Sequence, residues 1–109
     1  MTEEMTVAKG MGMAALKVLQ AIAAGSEYGF DIIDATGLAS GTVYPALSRH
    51  ERDGYLRSCW EDAERAQRDH RPARRYYRIT AEGRRALDDA FAELGIEPAR
   101  RVKPVRVRG

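Results

Sequence analysis

The chain has 109 residues, the size of one domain with one hydrophobic core. Apolar residues make up 44% of it, which is normal for a globular protein, and no apolar run approaches the roughly 20 residues that span a bilayer. Glu3 and Glu4 argue against a secretory signal, and a single cysteine, Cys59, excludes an internal disulfide. These features predict a cytoplasmic protein without a membrane partner.

The charge is unevenly distributed, although the net charge is only +2. Residues 1–54 carry a net charge of −3 and residues 55–109 carry +5, and 15 of the 18 basic residues are arginines. The planar guanidinium group matches the geometry of phosphate and of guanine. This distribution favours nucleic acid as a partner.

The N-terminal part of the chain predicts two helices. Apolar residues at helical spacing indicate a first helix over residues 11–24. Ser26 is placed to cap a second helix over residues 27–35, with Phe30 and Ile33 facing inward.

A third helix is predicted over residues 41–53, after a short turn at Gly37. Ser40 and Thr42 are alternative N-caps, and Pro45 belongs in the first turn because it has no N–H to donate. Three residues at positions i, i+4 and i+7 are predicted to face the core: Val43, Leu47 and His50.

Two alternating segments, residues 55–60 and 75–80, predict a β-hairpin. The polar, arginine-rich segment 61–74 between them is predicted to be a loop, as in a wing. Thr80 is placed to cap a last helix over residues 81–94. One face of the first strand is expected to carry Leu56, Ser58 and Trp60.

This order of elements predicts a mainly α fold with a small β-hairpin, a winged helix-turn-helix. Residues 1–10 form a leader, and residues 11–94 form the DNA-binding domain with a terminal dimerisation helix. Residues 95–109 form a basic tail, predicted to be disordered, with five cations and the single acid Glu97. We expect this tail either to solubilise the chain or to lie along DNA phosphates.

Four segments resemble the PadR family of transcriptional regulators, and the similarity extends over residues 14–94. They are YGFDI at residues 28–32, SGTVYPALSR at 40–49, DGYL at 53–56 and RRYYRIT at 74–80. The resemblance, which is to the short form of the family, implies a homodimeric repressor that binds a palindromic operator. Because some members release DNA on binding a small molecule, it also implies a small-molecule effector as a possible further partner. The family usually has an apolar residue where His50 stands.

The predicted DNA interface combines the polar face of the third helix with the wing. Arg49 is expected to read a base or clamp a phosphate, whereas Arg74 and Arg75 hold the DNA backbone from the wing. The full predicted set is Ser40, Thr42, Tyr44, Pro45, Ser48, Arg49, Arg52, Arg74, Arg75 and Tyr76.

A symmetric homodimer is predicted because one winged helix covers only half of an operator. The first and last helices carry more apolar surface than a domain of this size buries alone. The expected dimer surface centres on Met11, Leu87, Phe91 and Leu94.

No catalytic motif is present, and His50 and His70 lack metal-ligand spacing, so neither an enzyme nor a metal or other cofactor is predicted. The alternative function is a protein–protein adaptor, because winged helices also serve as interaction modules. An adaptor is expected to show an apolar patch on the third helix, whereas a DNA-binding protein shows Ser, Thr and Arg there.

Overall fold

The structure, a computed structural model, describes residues 11–95, which form five helices and a two-stranded sheet. The elements are α1 (Met13–Ala23), α2 (Gly29–Thr36), α3 (Ser40–Arg52), β1 (Leu56–Trp60), α4 (Ala63–Arg68), β2 (Arg75–Ile79) and α5 (Ala81–Leu94). The strands are antiparallel, with Leu56 opposite Ile79 and Trp60 opposite Arg75. This confirms the predicted fold class. The predictions for the leader and for the tail beyond Gly95 lie outside the described residues.

Helix α1 lies at the centre of the domain and contacts α2, α3, α5 and β2. Its apolar residues recur three and four positions apart, so Leu16, Leu19 and Ile22 enter the core together. Ile32 from α2 and Leu47 from α3 complete the centre of this core. Among residues 11–95, no helix is long and apolar enough to cross a membrane.

Helix α2 differs from its prediction in start and orientation. Its N-cap is Tyr28, whose side chain makes no capping hydrogen bond, so Ser26 is not the cap. Phe30 is 72% exposed, so its predicted inward position is wrong, whereas Ile32 is fully buried and Ile33 is half-buried against the core. A helix of eight residues contains few repeats of the helical pattern, so the pattern predicts the inward side of Ile33 but not that Ile32, and not Phe30, is buried beside it.

Helix α3 begins earlier than predicted, and neither proposed cap is used. Its N-cap is Ala39, which caps without a side-chain hydrogen bond, and Ser40 is the first helical residue. Pro45 therefore lies inside the helix and not in the first turn, so the Gly41 carbonyl receives no hydrogen bond from position 45. Both residues are exposed, so water can satisfy that carbonyl.

The segment between the strands is partly helical, which the sequence interpretation missed. Asp62 accepts a hydrogen bond from the Glu64 amide at 3.1 Å and caps α4. Ala66 is its buried residue. The predicted wing is therefore a hairpin with a short helix inserted between its strands.

Helix α5 has the bounds that the sequence predicted. The Thr80 hydroxyl accepts from the Gly83 amide at 2.9 Å, confirming the cap, and donates to the Gly54 carbonyl at 2.7 Å. Gly83 allows close packing, because a Cβ there would clash with the Tyr55 carbonyl oxygen.

The residues predicted to form a dimer surface divide into two groups. Met11 and Leu87 are buried in the chain's own core, which is incompatible with a central position at a dimer surface of the folded chain. Leu94 is 39% exposed and Phe91 is half-buried. Trp60, expected to share a face with Leu56, is 63% exposed, whereas Leu56 is buried.

Candidate nucleic-acid interface

Helices α2 and α3 are joined by a tight turn in which Gly37 adopts a left-handed conformation. In α3, the second of these two helices, the buried and the exposed residues differ in chemical character. Val43, Leu47 and His50 are buried, as predicted. The exposed set, called here the outward face of α3, is Ser40, Thr42, Tyr44, Pro45, Ser48, Arg49 and Arg52.

His50 fixes the inner side of α3 to α1. Its Nε2 donates to the Ala15 carbonyl oxygen at 2.8 Å, and its ring packs at a tilt beside Tyr55. Burial lowers the pKa of His50, and its Nδ1 has no hydrogen-bond partner within residues 11–95. His50 is therefore kept in its neutral form, and it packs as a buried residue on the side of α3 opposite the outward face.

Gly29, at the start of α2, lies directly beneath the Tyr44 side chain. A Cβ at this position would overlap the Tyr44 hydroxyl group. A larger residue here would therefore displace the Tyr44 side chain from its position over the start of α2. The arrangement places the N-terminal end of α2 beside the outward face of α3.

Arg75 is engaged within the chain. Its Nε donates to the Ser58 hydroxyl at 3.0 Å, and its Nη2 lies 3.3 Å from the Glu51 carboxylate. Ser58 in turn donates to Glu51 at 2.6 Å. This network ties α3 to both strands, which argues against the predicted role of Arg75 at the DNA backbone.

A buried ion pair closes the wing. Both terminal nitrogens of Arg71 donate to Glu61, at 2.6 and 2.8 Å, and Glu61 also accepts from the Arg74 amide. These hydrogen bonds, mainly that from Arg71, lower the pKa of Glu61 to about 2. Arg71 is therefore a structural residue. The contact between Glu61 and Arg74 closes the two ends of the segment that contains α4.

Arg74 and Tyr76, both predicted to contact DNA, lie on the same aromatic ring at the base of the wing, and their contact with DNA stays a prediction. The Arg74 guanidinium stands 4.1 Å from the centre of the Tyr28 ring, and Tyr76 meets the same ring edge-on at 5.8 Å. The sequence alone does not identify Tyr28 as part of this site, because no local pattern indicates its distant partners. The same holds for Glu51 and Glu61, whose arginine partners are not indicated by the residues around them.

The helix-turn-helix, the polar outward face and the hairpin define a winged-helix transcriptional regulator. The profile of the family described as "Transcriptional regulator PadR-like family" matches residues 18–89. The chain therefore belongs to the PadR-like family. A search of curated proteins gave no match.

Solved structures support the same class. A PadR-like transcription factor from Bacteroides fragilis superposes with a TM-score of 0.66 at 25% identity, over 76% of this chain and 81% of that one. A PadR family regulator from Clostridium difficile gives 0.61 at 26% identity, over 71% and 81%.

The fold also resembles PcaV of Streptomyces coelicolor, with a TM-score of 0.68 at 22% identity over 84% of this chain. The chain spans 53% to 61% of the length of PcaV and of the MarR family neighbours, so it corresponds to part of those proteins. At this identity the likeness concerns the fold.

Proposed function

We propose that the protein is a sequence-specific DNA-binding repressor that acts in the cytoplasm as a homodimer on a palindromic operator. The observation that carries the proposal is the outward face of α3. Thr42, Ser48 and Arg49 are exposed there on a helix whose opposite side is buried. Such a face offers donors to base edges and phosphates in a major groove. Arg74 adds a cation from the wing.

The adaptor alternative is weaker for the same reason. An adaptor would present an apolar patch at this helix, whereas Tyr44 is the only large hydrophobic side chain of the described α3 that is exposed. Release of DNA by a small-molecule effector is the second element of the proposal, by analogy with PcaV, which was solved with its natural ligand.

Selection of bound duplexes from a random-sequence pool tests the proposal most directly. We expect one enriched sequence with two-fold symmetry and half-sites about one helical turn apart. About five to ten phosphate contacts per dimer make affinity fall by several orders of magnitude from low to moderate salt. Equal binding to every duplex contradicts a specific repressor, and no binding at low salt favours the adaptor.

The dimer is tested separately, by sedimentation with and without DNA. Phe91 and Leu94 remain the candidates for the shared surface, because their side chains are partly exposed. Substituting Leu94 with Glu is expected to weaken association, with Glu82→Gln on the same helix as control. A monomer at all concentrations, also on DNA, contradicts this part.

A further inference from the structure

The main chain at Arg74 is fixed on both sides. Its amide donates to Glu61 Oε1 at 3.1 Å, and its carbonyl oxygen accepts from the Glu61 amide at 2.8 Å. Since Arg71 holds the same Glu61 carboxylate with two hydrogen bonds, this anchor is rigid. The Arg74 side chain therefore extends from a fixed point.

The charged end of Arg74 is positioned by an aromatic ring and not by a carboxylate. Its Cζ lies 4.1 Å from the Tyr28 ring centre, and among residues 11–95 no ion pair involves Arg74. A cation held over a ring keeps its donors free for an anion. By contrast, the guanidinium groups of Arg71 and Arg75 are paired with glutamates.

Tyr28 is itself held by the wing. It forms a β-bridge with Tyr76, and the amide of Tyr77 donates to the Glu27 carbonyl oxygen at 2.8 Å. The Tyr76 ring meets Tyr28 edge-on, at 82°. The segment before α2 is thus attached to β2 by an isolated bridge and one further backbone hydrogen bond, and these contacts fix the ring on which Arg74 rests.

This arrangement adjoins the outward face of α3. Gly29, next to Tyr28 in the chain, lies beneath the hydroxyl end of the exposed Tyr44. The ring on which Arg74 rests therefore belongs to the residue next to this contact with the outward face.

We propose that Tyr28 is the positioning residue for Arg74, holding the guanidinium ready to bind a phosphate of duplex DNA. The inference rests on the proposed function and assigns a role to a residue outside α3 and the wing. Without the ring, the Arg74 side chain must be ordered at the moment of binding, which lowers affinity. The effect is independent of base sequence, because the target is a phosphate.

A double-mutant cycle measures the coupling between Tyr28 and Arg74. The probe is a labelled random-sequence duplex of about 30 base pairs, long enough for two half-sites. Tyr28→Leu is expected to weaken binding roughly two- to fivefold per protomer, the value of an exposed cation–π contact, and Tyr28→Phe to leave it unchanged. Arg74→Ala lowers the salt slope by about 0.9 per lost contact, and Tyr28→Leu then has no further effect.

Two results overturn the proposal. One is a Tyr28→Leu effect of equal size with and without Arg74, since Tyr28 would then act on DNA independently. The other is a Tyr28→Phe loss as large as that of Tyr28→Leu, since the hydroxyl group would then be responsible. Thermal unfolding of each variant and Arg84→Ala, on the exposed side of α5, serve as controls.

A measurement without DNA separates this inference from the proposed function. In the NMR spectrum of the free protein, the ring current of Tyr28 is expected to shift the Arg74 δ-methylene protons upfield. The shift should persist in Tyr28→Phe and disappear in Tyr28→Leu, and its absence in the wild type contradicts the arrangement even if Tyr28→Leu fails to fold. If the shift is present but the wild type binds no duplex, the proposed function fails and with it the phosphate role.

Discussion

Helix α3 and the wing differ in how they use polar side chains. On the outward face of α3, the side chains of Thr42, Ser48 and Arg49 make no hydrogen bond or ion pair within residues 11–95. In the wing, Arg71 and Arg75 are paired with glutamates. An arginine-rich segment is therefore not by itself a DNA-binding surface, because a guanidinium already paired with a carboxylate has less to offer a phosphate.

The comparison implies that the paired charges of Arg71 and Arg75 support the structure of the wing, whereas Arg49 on the outward face of α3, unpaired among the described residues, is available to a partner. Substitutions at these two kinds of site should therefore differ in what they change. Variants of the paired wing residues should lower stability or local order first, and variants on the outward face of α3 should lower DNA affinity with little change in stability.

The largest effect is expected for Glu61→Ala in the wing. It removes the buried acceptor that Arg71 and the Arg74 amide share, so that, within residues 11–95, Arg71 keeps only its hydrogen bonds to Asp69 and to the Pro72 carbonyl oxygen and the Arg74 amide loses its acceptor. Amide hydrogen exchange should show loss of protection throughout α4 and at Arg74. Glu64→Ala, an exposed change in the same helix, is the control, and unchanged protection in Glu61→Ala would contradict the structural role.

The same carboxylate has a defined pH dependence. Its pKa in the folded chain is lowered to about 2, so its contribution to stability is present above the ordinary pKa of 4.5. The contribution is lost as the pH falls from 4.5 towards 2. Amide exchange at Arg74 and in α4 should therefore lose protection over this range of pH, and protection that does not change between pH 4.5 and 2 would contradict the pairing of Glu61.

Next in size is Arg49→Ala on the outward face of α3. It should cost about 1–3 kcal/mol in binding to the selected duplex, because a bidentate contact to a base or a phosphate is lost. A base contact would also relax the preference at one position. The melting temperature should stay that of the wild type, and the control is Arg85→Ala on the exposed side of α5. Full affinity with full preference would show that α3 lies differently on DNA.

The inner side of α3 gives a third effect, through His50. Burial lowers its pKa below the ordinary value of 6.5 and outweighs the hydrogen bond to Ala15 and the charge of Asp53, which raise it; the charge of Arg49 lowers it further. The contribution of neutral His50 to the free energy of unfolding is therefore fully present above pH 6.5. As the pH falls below 6.5 this contribution is lost, by at most about 1.4 kcal/mol per pH unit. Denaturant unfolding between pH 7.5 and 5.5 measures this slope. His50→Leu should flatten it and His70→Gln, at an exposed site, should not; an unchanged slope in His50→Leu would assign it to other groups.

The sequence predicted those features that depend on neighbours in the chain. The bounds of α5, the Thr80 cap and the turn at Gly37 follow from residue types within a few positions, and so does the buried side of α3. The outward face of α3 is then predicted as the residues of this helix that do not lie on its buried side. Its position relative to DNA stays a prediction.

The missed features depend on residues far apart in sequence. Arg75 and Glu51 are 24 positions apart, and Arg74 meets Tyr28 from 46 positions further along the chain. Helical and strand periodicities describe which face is buried and not which partner a surface arginine finds. The inserted helix α4 was missed because its six residues carry one buried side chain, Ala66, and therefore no apolar pattern.

The smallest effect is expected for Arg75→Ala, which tests whether this arginine belongs to the fold or to the DNA interface. Its guanidinium and the Glu51 carboxylate are partly exposed, at 40% and 35%, so solvent screens the pair. Loss of the pair and of the hydrogen bonds to Ser58 should lower the free energy of unfolding by about 0.5–1 kcal/mol. Glu51→Gln keeps the acceptor for Ser58 while removing the charge, so it should cost less than Arg75→Ala. DNA affinity should change less than in Arg74→Ala, measured on the same duplex, because the side chain removed by Arg75→Ala is directed to α3 in the wild type. If Arg75→Ala instead lowers affinity and the salt slope as much as Arg74→Ala, with stability unchanged, both arginines contact phosphates. In that case Arg75, like Arg74 and the outward face of α3, would present its charge to DNA.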